Sequence, residues 1–290
     1  MRKPQSYLTW CLDPVHVGTG GYRLGRVDMS IVREPATGIP KIPGTSMAGA
    51  VRAYAELAKE ENSNLPDTDV IFGTTETQGM LRFYDAQIVL FPVGSILGTV
   101  WVSTAARLMR WLASDHDSKD SLPCPKIEAL DENKVFAVRG LEGPNAVQLG
   151  WLLVELVKNE EIKQHEVKIS LPDSLEFVKR LVIVSDRLFY HLVNDHLEVR
   201  TSVKIDSDTG AAETGGLFTY EAIPRGTVLG FEVAVDPRRG NDKVNEENMK
   251  ELLNKAFAGL KVLGIGGMGT RGFGRIEVWP TGAVDGGEQK

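Results

Sequence analysis

The chain has 290 residues, of which 42% are hydrophobic and 25% are charged. This is the composition of a globular protein with one elaborate domain or two small ones. The longest apolar runs, 86–94 and 149–157, are too short to cross a bilayer, and the N-terminal segment lacks the apolar core of a secretory signal. We therefore expect a cytoplasmic protein that makes no membrane contact.

The formal net charge of −6 argues at first against a nucleic-acid partner, but the charge is unevenly distributed. Residues 1–60 hold eight basic and five acidic side chains, and residues 261–275 hold three basic and no acidic ones. Both segments are glycine-rich and locally basic, whereas the middle of the chain is acidic. This distribution permits a basic surface on one face of the protein.

Cysteine and histidine are too few and too scattered to build a metal-binding framework. Cys11 and Cys124 make no disulfide pattern and fit a reducing compartment. The five histidines lie at positions 16, 116, 165, 191 and 196, without metal-ligand spacing to a cysteine. The sequence therefore argues against structural zinc.

The N-terminal part of the chain predicts a strand, a glycine-rich loop and a helix. The strand begins within 6–18 and ends at Asp13, and a second extended segment lies near Val27. Thr45 or Ser46 is the predicted N-cap of the helix. Apolar residues recur along this helix at helical spacing: Met47, Ala50, Val51, Tyr54 and Leu57.

The middle of the chain continues with short apolar segments. Those at 80–90 and 99–103 have strand composition, and 103–113 has a helical pattern. The segment 174–196 is amphipathic and is predicted to be helical. No function is assigned to the acidic middle of the chain.

The C-terminal third predicts a long β-hairpin followed by a strand and a helix. The polar turn 207–215 separates two extended arms, so the hairpin covers approximately 198–223. A strand is predicted at 227–236 and a helix at 245–260. Strands and helices thus interleave with antiparallel hairpins, which indicates an α+β fold in a single domain of residues 1–290.

The stretch "GIGGMGTRGFGRIEV" at 264–278 suggests phosphate binding. A dinucleotide-binding loop follows a strand and opens a helix, but here a helix precedes the glycines and a strand follows them. Glycine-Lys-Ser/Thr is absent as well, which excludes a P-loop. Glycines still let backbone N–H groups approach phosphates, and Arg271 and Arg275 supply charge. From spacing alone, a phosphate-binding loop and a tight glycine turn with solvated arginines are equal alternatives.

Four blocks of the sequence resemble the RAMP superfamily of CRISPR RNA-guided systems. The loop 264–275 resembles the C-terminal glycine-rich loop of that superfamily, and 16–52 resembles its N-terminal signature. The block 71–104 is similar to the core segment that follows, and 208–233 to the thumb hairpin and the strand after it. In this order, the blocks resemble the repeated backbone subunit of type III-B (Cmr) effector complexes.

This resemblance implies a fold, partners and an activity. The fold would be a modified ferredoxin-like (RRM-type) palm with inserted helical lobes, at approximately 112–200, and a protruding β-hairpin thumb. Several copies would stack along a guide crRNA together with other Cmr subunits, and each thumb would displace one base. Each copy would cut complementary target RNA at regular intervals with the help of a divalent metal ion, Mg²⁺ or Mn²⁺.

The resemblance also makes Asp28 and His16 the catalytic candidates. Asp28 matches the catalytic aspartate of the family, and a carboxylate in this glycine-rich, locally cationic loop could bind the metal or assist deprotonation of a ribose 2′-OH. His16 falls where the family has a histidine near the cut site, although a hydrogen-bonded loop histidine is an equal alternative. Glu213 and Glu221 are possible second carboxylates, but nothing in the spacing places either beside Asp28.

Eight residues are predicted to contact the backbone of the guide RNA. We expect these contacts at phosphate and sugar, because the guide sequence varies and base pairing reads it. Free N–H groups at the start of the helix favour a phosphate there. The residues are Ser46, Arg52, Gly266, Gly267, Arg271, Gly272, Gly274 and Arg275. For Arg52, a surface ion pair is the alternative.

In the thumb, Leu217, Phe218 and Tyr220 are candidates for displacing a base, since unstacked bases rest on such side chains. Packing within the hairpin is an equal alternative for them. The chain also departs from the family, which often has a lysine where Ala48 stands. Lys41 or Arg23 could supply the missing charge.

Three other functions stay open at this point. The first is a structural RNA-binding subunit whose cutting activity is lost, because no clear second catalytic group accompanies Asp28. The second is a nuclease that matures the guide, for which His16 would be important. The third, a nucleotide-binding metabolic enzyme, has the least support, because no complete cofactor motif is present.

Overall fold

Strands and helices alternate along the computed structural model, which describes residues 3–20, 27–113, 122–125, 134–141, 143–157, 166–206, 208, 210–241 and 244–281. The helices are α1 (Gly44–Glu61), α2 (Thr68–Phe72), α3 (Ala105–Leu112), α4 (Asp186–Asp195) and α5 (Glu246–Val262). The strands are β1 (Gln5–Cys11), β2 (Lys41–Ile42), β3 (Leu81–Phe83), β4 (Ala86–Val93), β5 (Val100–Ser103), β6 (Leu122–Pro125), β7 (Lys134–Arg139), β8 (Ala146–Leu149), β9 (Leu152–Val157), β10 (Glu166–Ile169), β11 (Leu181–Ile183), β12 (Glu198–Ile205), β13 (Ala212–Ala222), β14 (Val228–Val235) and β15 (Ile276–Thr281). The predicted α+β class is confirmed.

One large mixed sheet runs through the molecule. Its strand order is β15-β1-β14-β4-β5-β11-β7-β9-β8, with β2 paired to β4 and β3 paired to β14. The first four strands are antiparallel to their neighbours, whereas β5 pairs with β11, and β7 with β9, in parallel. The strands at the two termini of the described chain, β1 and β15, are therefore neighbours.

Helices cover both faces of the sheet. Side chains alternate along each strand, so each face of the sheet has its own apolar side chains to bury. On one face, the ring of Tyr7 in β1 stacks on Phe231 of β14 and meets Phe257 of α5 edge-on, with centroids 5.2 and 5.3 Å apart. On the opposite face, Leu8 belongs to a second core that includes Trp111 of α3. Helix α1 packs with α5 in the first of these cores.

Helix α1 begins at Gly44, two residues before one of the predicted caps. Its N-cap position is Pro43, which makes no side-chain cap, so the prediction of Thr45 or Ser46 as N-cap is wrong. Instead, the carboxylate of Asp85 accepts a hydrogen bond of 2.8 Å from the Gly44 N–H. The N-terminus of α1 is thus capped by a carboxylate from a neighbouring loop, and not by a hydroxyl of its own first turn.

The strands β12 and β13 pair with each other in a separate antiparallel sheet, which confirms the predicted hairpin. The pairing register places alternate side chains on opposite faces. One face carries Leu217, Thr219 and Glu221, and the other carries Phe218 and Tyr220.

The described part of 112–200 consists mainly of strands. Here β7, β8, β9 and β11 continue the large sheet, and β6 pairs with β10. The prediction of a helical lobe is therefore wrong for this part, although the boundaries of the inserted segment stay a prediction.

The segment 174–196 divides into a 3-10 turn, strand β11 and helix α4. The apolar run of β11 is too short to show either a helical or a strand periodicity. It is a strand because it pairs in parallel with β5. Among the described residues, no helix is long and apolar enough to cross a membrane.

Candidate active site

Several chain segments converge on strand β13. The segment after β1, the extended segment near residue 29 and the glycine-rich loop are tied together by isolated backbone bridges. These bridges join Val15 to Ile223, Met29 to Tyr220, and His16 to Gly267. The two catalytic candidates and the loop predicted to bind RNA therefore lie around one strand of the hairpin.

Asp28 is held on β13 by Thr219. The Thr219 N–H and hydroxyl both donate to Asp28 Oδ2, at 2.7 and 2.9 Å. The Asp28 N–H donates to the same hydroxyl oxygen at 3.1 Å. These bonds, the backbone N–H of Thr219 first, lower the pKa of the Asp28 carboxyl because they favour its charged form. The result is an oriented carboxylate whose Oδ1 has no bond to Thr219.

His16 is buried beside the same strand. Its Nδ1 lies 2.7 Å from the carbonyl oxygen of Glu221, so Nδ1 carries the proton and donates, and Nε2 is unprotonated in the neutral ring. A Cβ at position 18 would come within 3.0 Å of Nε2, and Gly18 therefore leaves space beside this nitrogen. The hydrogen bond of Nδ1 matches the alternative of a hydrogen-bonded loop histidine, and His16 as a catalytic residue stays a prediction.

The second carboxylates considered from the sequence do not join Asp28. Glu221 is buried, and its two oxygens accept bonds from the Ile31 N–H at 2.9 Å and from Arg33 at 2.8 Å. Glu213 pairs with Lys204. The site thus contains one carboxylate, Asp28, and a histidine, His16, whose ring is hydrogen-bonded to the backbone of β13. It does not contain a pair of carboxylates.

A metal ion would find few ligands here. Within the described ranges, no group of three or more His, Cys, Asp or Glu side chains is placed to hold one. Mg²⁺ is commonly bound through one or two carboxylates, with substrate phosphates and water completing its shell. The single carboxylate of Asp28 fits that mode, and it does not fit a cage made of protein ligands.

The glycines of the loop 264–275 are required mainly by packing inside the protein. Gly266 has φ 85°, and a Cβ there would lie 2.4 Å from the carbonyl oxygen of His16. Gly274 has φ 98°, and a Cβ there would lie 2.5 Å from a backbone oxygen of the same loop. The Gly267 N–H donates to the carbonyl oxygen of His16, and the Gly274 N–H to that of Pro14, both at 2.8 Å.

This backbone bonding changes the expected phosphate contacts. The N–H groups of Gly267, Gly272 and Gly274 all have carbonyl partners, so these N–H groups are occupied within the protein. Contacts of these three glycines with RNA stay predictions. Gly266 as an RNA contact stays a prediction. The tight-turn alternative accounts for most of the glycine pattern.

The two loop arginines differ in their surroundings. Arg275 pairs with Asp13, which raises the pKa of the guanidinium. Arg271 lies over the ring of Phe218 at 5.0 Å and approaches the sulfur of Met268 at 3.4 Å. A guanidinium on an aromatic face keeps its outer N–H groups available, so Arg271 is the stronger of the two candidates for binding phosphate, and RNA contact by either arginine stays a prediction.

The three predicted base-displacing residues have different environments. Leu217 is 66% exposed, and Phe218 is half-buried beneath Arg271. Tyr220 is only 3% exposed, and its ring packs edge-on against Phe273 with centroids 5.5 Å apart. The ring of Tyr220 is therefore packed in the core of the site, as the packing alternative has it, and its role in displacing a base stays a prediction.

Helix α1 reaches the glycine loop through Tyr54, whose hydroxyl donates to the Gly264 carbonyl oxygen at 2.6 Å, but the predicted RNA contacts on α1 bind other partners. Arg52 binds Glu56 and Asp69 at 2.8 and 2.6 Å and also donates to a backbone carbonyl. Its guanidinium makes the ion pairs considered as the alternative. As an RNA ligand, Arg52 stays a prediction.

The start of α1 is already bound by an acid. The carboxylate of Asp85 lies on the Gly44 N–H and would repel a phosphate near Ser46, which stays an untested RNA contact. Lys41 pairs with the same carboxylate, so its charge is partly used. Ala48 is half-buried in α1. Arg23 lies outside the described residues.

Sequence reasoning missed Thr219 and Arg33. Thr219 stands between two aromatic residues in a strand pattern, and nothing in that pattern points to a partner 191 positions earlier. Arg33 shares its partner Glu221 with the backbone of Ile31. These contacts exist only because β13 and the segment near residue 30 are neighbours in space.

The model of the RAMP superfamily matches residues 11–277 of this chain. The chain belongs to the RAMP superfamily. A relative within it, the CRISPR system Cmr endoribonuclease Cmr4 of Pyrococcus furiosus, is 30% identical over 287 residues, which cover 93% of this chain and 92% of the relative. Homology therefore extends over nearly the whole length of both proteins.

Solved structures of Cmr4 and of the Cmr-beta complex contain chains with the same fold. A chain of the type III-B Cmr-beta complex bound to cognate target RNA superposes with a TM-score of 0.70 at 18% identity, over 96% of this chain and 97% of that chain. A chain of oligomeric Cmr4 from Pyrococcus furiosus superposes with a TM-score of 0.62 at 22% identity, over 97% of this chain and all of that chain. At these identities the likeness concerns the fold.

Proposed function

We propose that this chain is the repeated backbone subunit of a type III-B CRISPR effector complex and that it cleaves target RNA complementary to the bound guide crRNA. The observation that carries the proposal is the carboxylate of Asp28, oriented by Thr219 of β13, in a chain homologous to a Cmr4 endoribonuclease over nearly its whole length. Its partners would be guide and target RNA, further copies of itself and other Cmr subunits.

The finer description of the fold belongs to this proposal. The order β15-β1-β14-β4, with α1 and α5 packed together on one face, supports a ferredoxin-like palm. The separate sheet of β12 and β13, with Leu217 exposed on it, supports a protruding thumb. Copies stacked along the guide would repeat the thumb at regular intervals, and the cuts would follow that spacing.

The chemistry we assign to this site is attack of a ribose 2′-oxygen on the neighbouring phosphate, which forms a 2′,3′-cyclic phosphate and breaks the bond to the 5′-oxygen of the next nucleotide. That leaving oxygen would take a proton from water. Asp28 would orient the 2′-OH through Oδ1 and accept its proton, while Thr219 keeps the carboxylate ionised and in place. Arg271 would bind phosphate and hold the RNA backbone against the loop. A divalent ion held by Asp28 and phosphate oxygens would supply charge neutralisation at the phosphate.

The test is cleavage of a guide-complementary RNA by the reconstituted complex in Mg²⁺ or Mn²⁺. We expect the wild type to cut at regular intervals, and Asp28→Ala and Asp28→Asn to bind the target with unchanged affinity without cutting it. EDTA should stop the reaction. Equal cutting by wild type and both variants would refute the assignment to Asp28.

A second function, a structural subunit that binds guide RNA without cutting, is favoured by one observation. In the described part of the chain, Asp28 has no second carboxylate beside it and no cluster of metal ligands. A complex that assembles and binds target, but leaves it intact under all metal conditions, would establish this alternative.

A further inference from the structure

We propose that Thr219 is a positioning residue that acts through Asp28 and makes the geometry of the site depend on the hairpin. This inference rests on the proposed function. Thr219 lies on the strand that forms half of the hairpin, whereas Asp28 lies in a segment that belongs to the body of the protein. Their contact is therefore a joint between two parts of the molecule.

The joint uses every hydrogen-bonding group of Thr219. Its hydroxyl donates to Asp28 Oδ2 and accepts the Asp28 N–H, and its backbone N–H donates to the same Oδ2. Its carbonyl oxygen accepts the Met29 N–H at 3.0 Å. Threonine is suited to this role, because its β-branch restricts χ1 and so limits the directions that the hydroxyl can take.

The bonds determine which oxygen of Asp28 is presented. Because both donors of Thr219 reach Oδ2, the carboxylate cannot rotate without losing one of them, and Oδ1 keeps a defined direction. Reaction rates depend steeply on such placement, and a displacement of about 1 Å costs roughly 100-fold. A hydroxyl that only stabilised the fold would have no such effect on rate.

The same strand links this joint to the exposed end of the hairpin. Leu217 lies two residues before Thr219 on the same face, about 7 Å away along the strand. RNA that presses on Leu217 would shift β13, and the Thr219 donors would move with it. The contacts that place Asp28 are therefore part of the hairpin strand that would meet RNA.

The experiment compares Thr219→Val with Thr219→Ser in the reconstituted complex. Valine has the shape of threonine without the hydroxyl, and serine keeps the hydroxyl. Thr201→Val is the matched control, because Thr201 is the exposed cross-strand partner of Thr219 on β12. Thr219→Ala serves as a second variant if the valine variant fails to assemble.

We expect Thr219→Val to lower the single-turnover cleavage rate about 10- to 100-fold, with target affinity within about twofold of the wild type. Thr219→Ser should restore most of the rate, and Thr201→Val should cut like the wild type. Wild-type cleavage by both Thr219→Val and Thr219→Ala would overturn the inference and leave the role of Asp28 intact. Wild-type cleavage by Asp28→Ala would instead overturn the proposed function. A loss of target affinity equal to the loss of rate would show a structural role and would also overturn the inference.

Discussion

Arg33 and Glu221 form an ion pair at 2.8 Å across 188 positions of the sequence. The side chain of Glu221 is only 9% exposed and that of Arg33 29% exposed, so the carboxylate depends on its partners for solvation. Its other oxygen accepts the Ile31 N–H, and its backbone carbonyl holds His16. One residue of the hairpin strand thus fixes three parts of the site.

Removing the Glu221 carboxylate should destabilise the protein. We expect Glu221→Ala to lower the free energy of unfolding by about 2–4 kcal/mol, because Arg33 loses its anionic partner and the buried Ile31 N–H loses its acceptor. Glu221→Gln keeps an acceptor for Ile31 and should cost less. Urea denaturation of the purified chain measures both values, and a loss below about 1 kcal/mol for the alanine variant would contradict the role of the pair.

Substitution by alanine should destabilise the protein at one glycine of the loop and have little effect at another. Gly266→Ala places a Cβ against the carbonyl oxygen of His16 at a positive φ, and we expect a loss of at least about 2 kcal/mol. Gly269→Ala meets no atom within 4 Å and should be nearly neutral. Thermal unfolding of the two variants is the measurement. Similar melting temperatures would argue against packing as the reason for Gly266.

Alanine substitutions of Tyr220 and Leu217 should affect different properties, namely the stability of the protein and the pattern of RNA cleavage. Tyr220→Ala empties a buried position in the site and should cost about 3–5 kcal/mol of unfolding free energy. Leu217→Ala changes an exposed side chain and should alter stability by less than about 0.5 kcal/mol. If Leu217 contacts bases, its variant should change the cleavage pattern of the assembled complex, and an unchanged pattern would exclude that role.

Arg271 should contribute to RNA binding through charge. We expect Arg271→Ala to weaken guide binding at all sequences and to reduce the slope of log affinity against log salt by about 0.7, the value for one phosphate of a single strand. Arg52→Ala is the comparison, because its guanidinium is already paired with Glu56 and Asp69. Filter binding at several salt concentrations measures both, and an equal change in slope for the two would contradict the difference drawn between them.

Local patterns in the sequence were sufficient for the regular elements in the C-terminal third of the chain. The helix predicted at 245–260 is α5, where Asn245 forms a capping box with Asn248, and the predicted hairpin is β12 and β13. These signals are local because caps, turns and alternating side chains involve neighbours in sequence. The family resemblance also depended on contiguous blocks.

Tertiary structure decided the elements and contacts that depend on distant neighbours. The apolar run Leu181–Ile183 is a strand because β5 lies beside it, and the start of α1 is bound by Asp85 rather than by its own hydroxyls. In the site, the sequence determined that Asp28, His16 and the glycine loop were candidates. Only the fold brought Thr219 and Glu221 to them. The hydrogen bond between Thr219 and Asp28 spans 191 positions of the sequence, and it forms because the segment around Met29 lies beside strand β13.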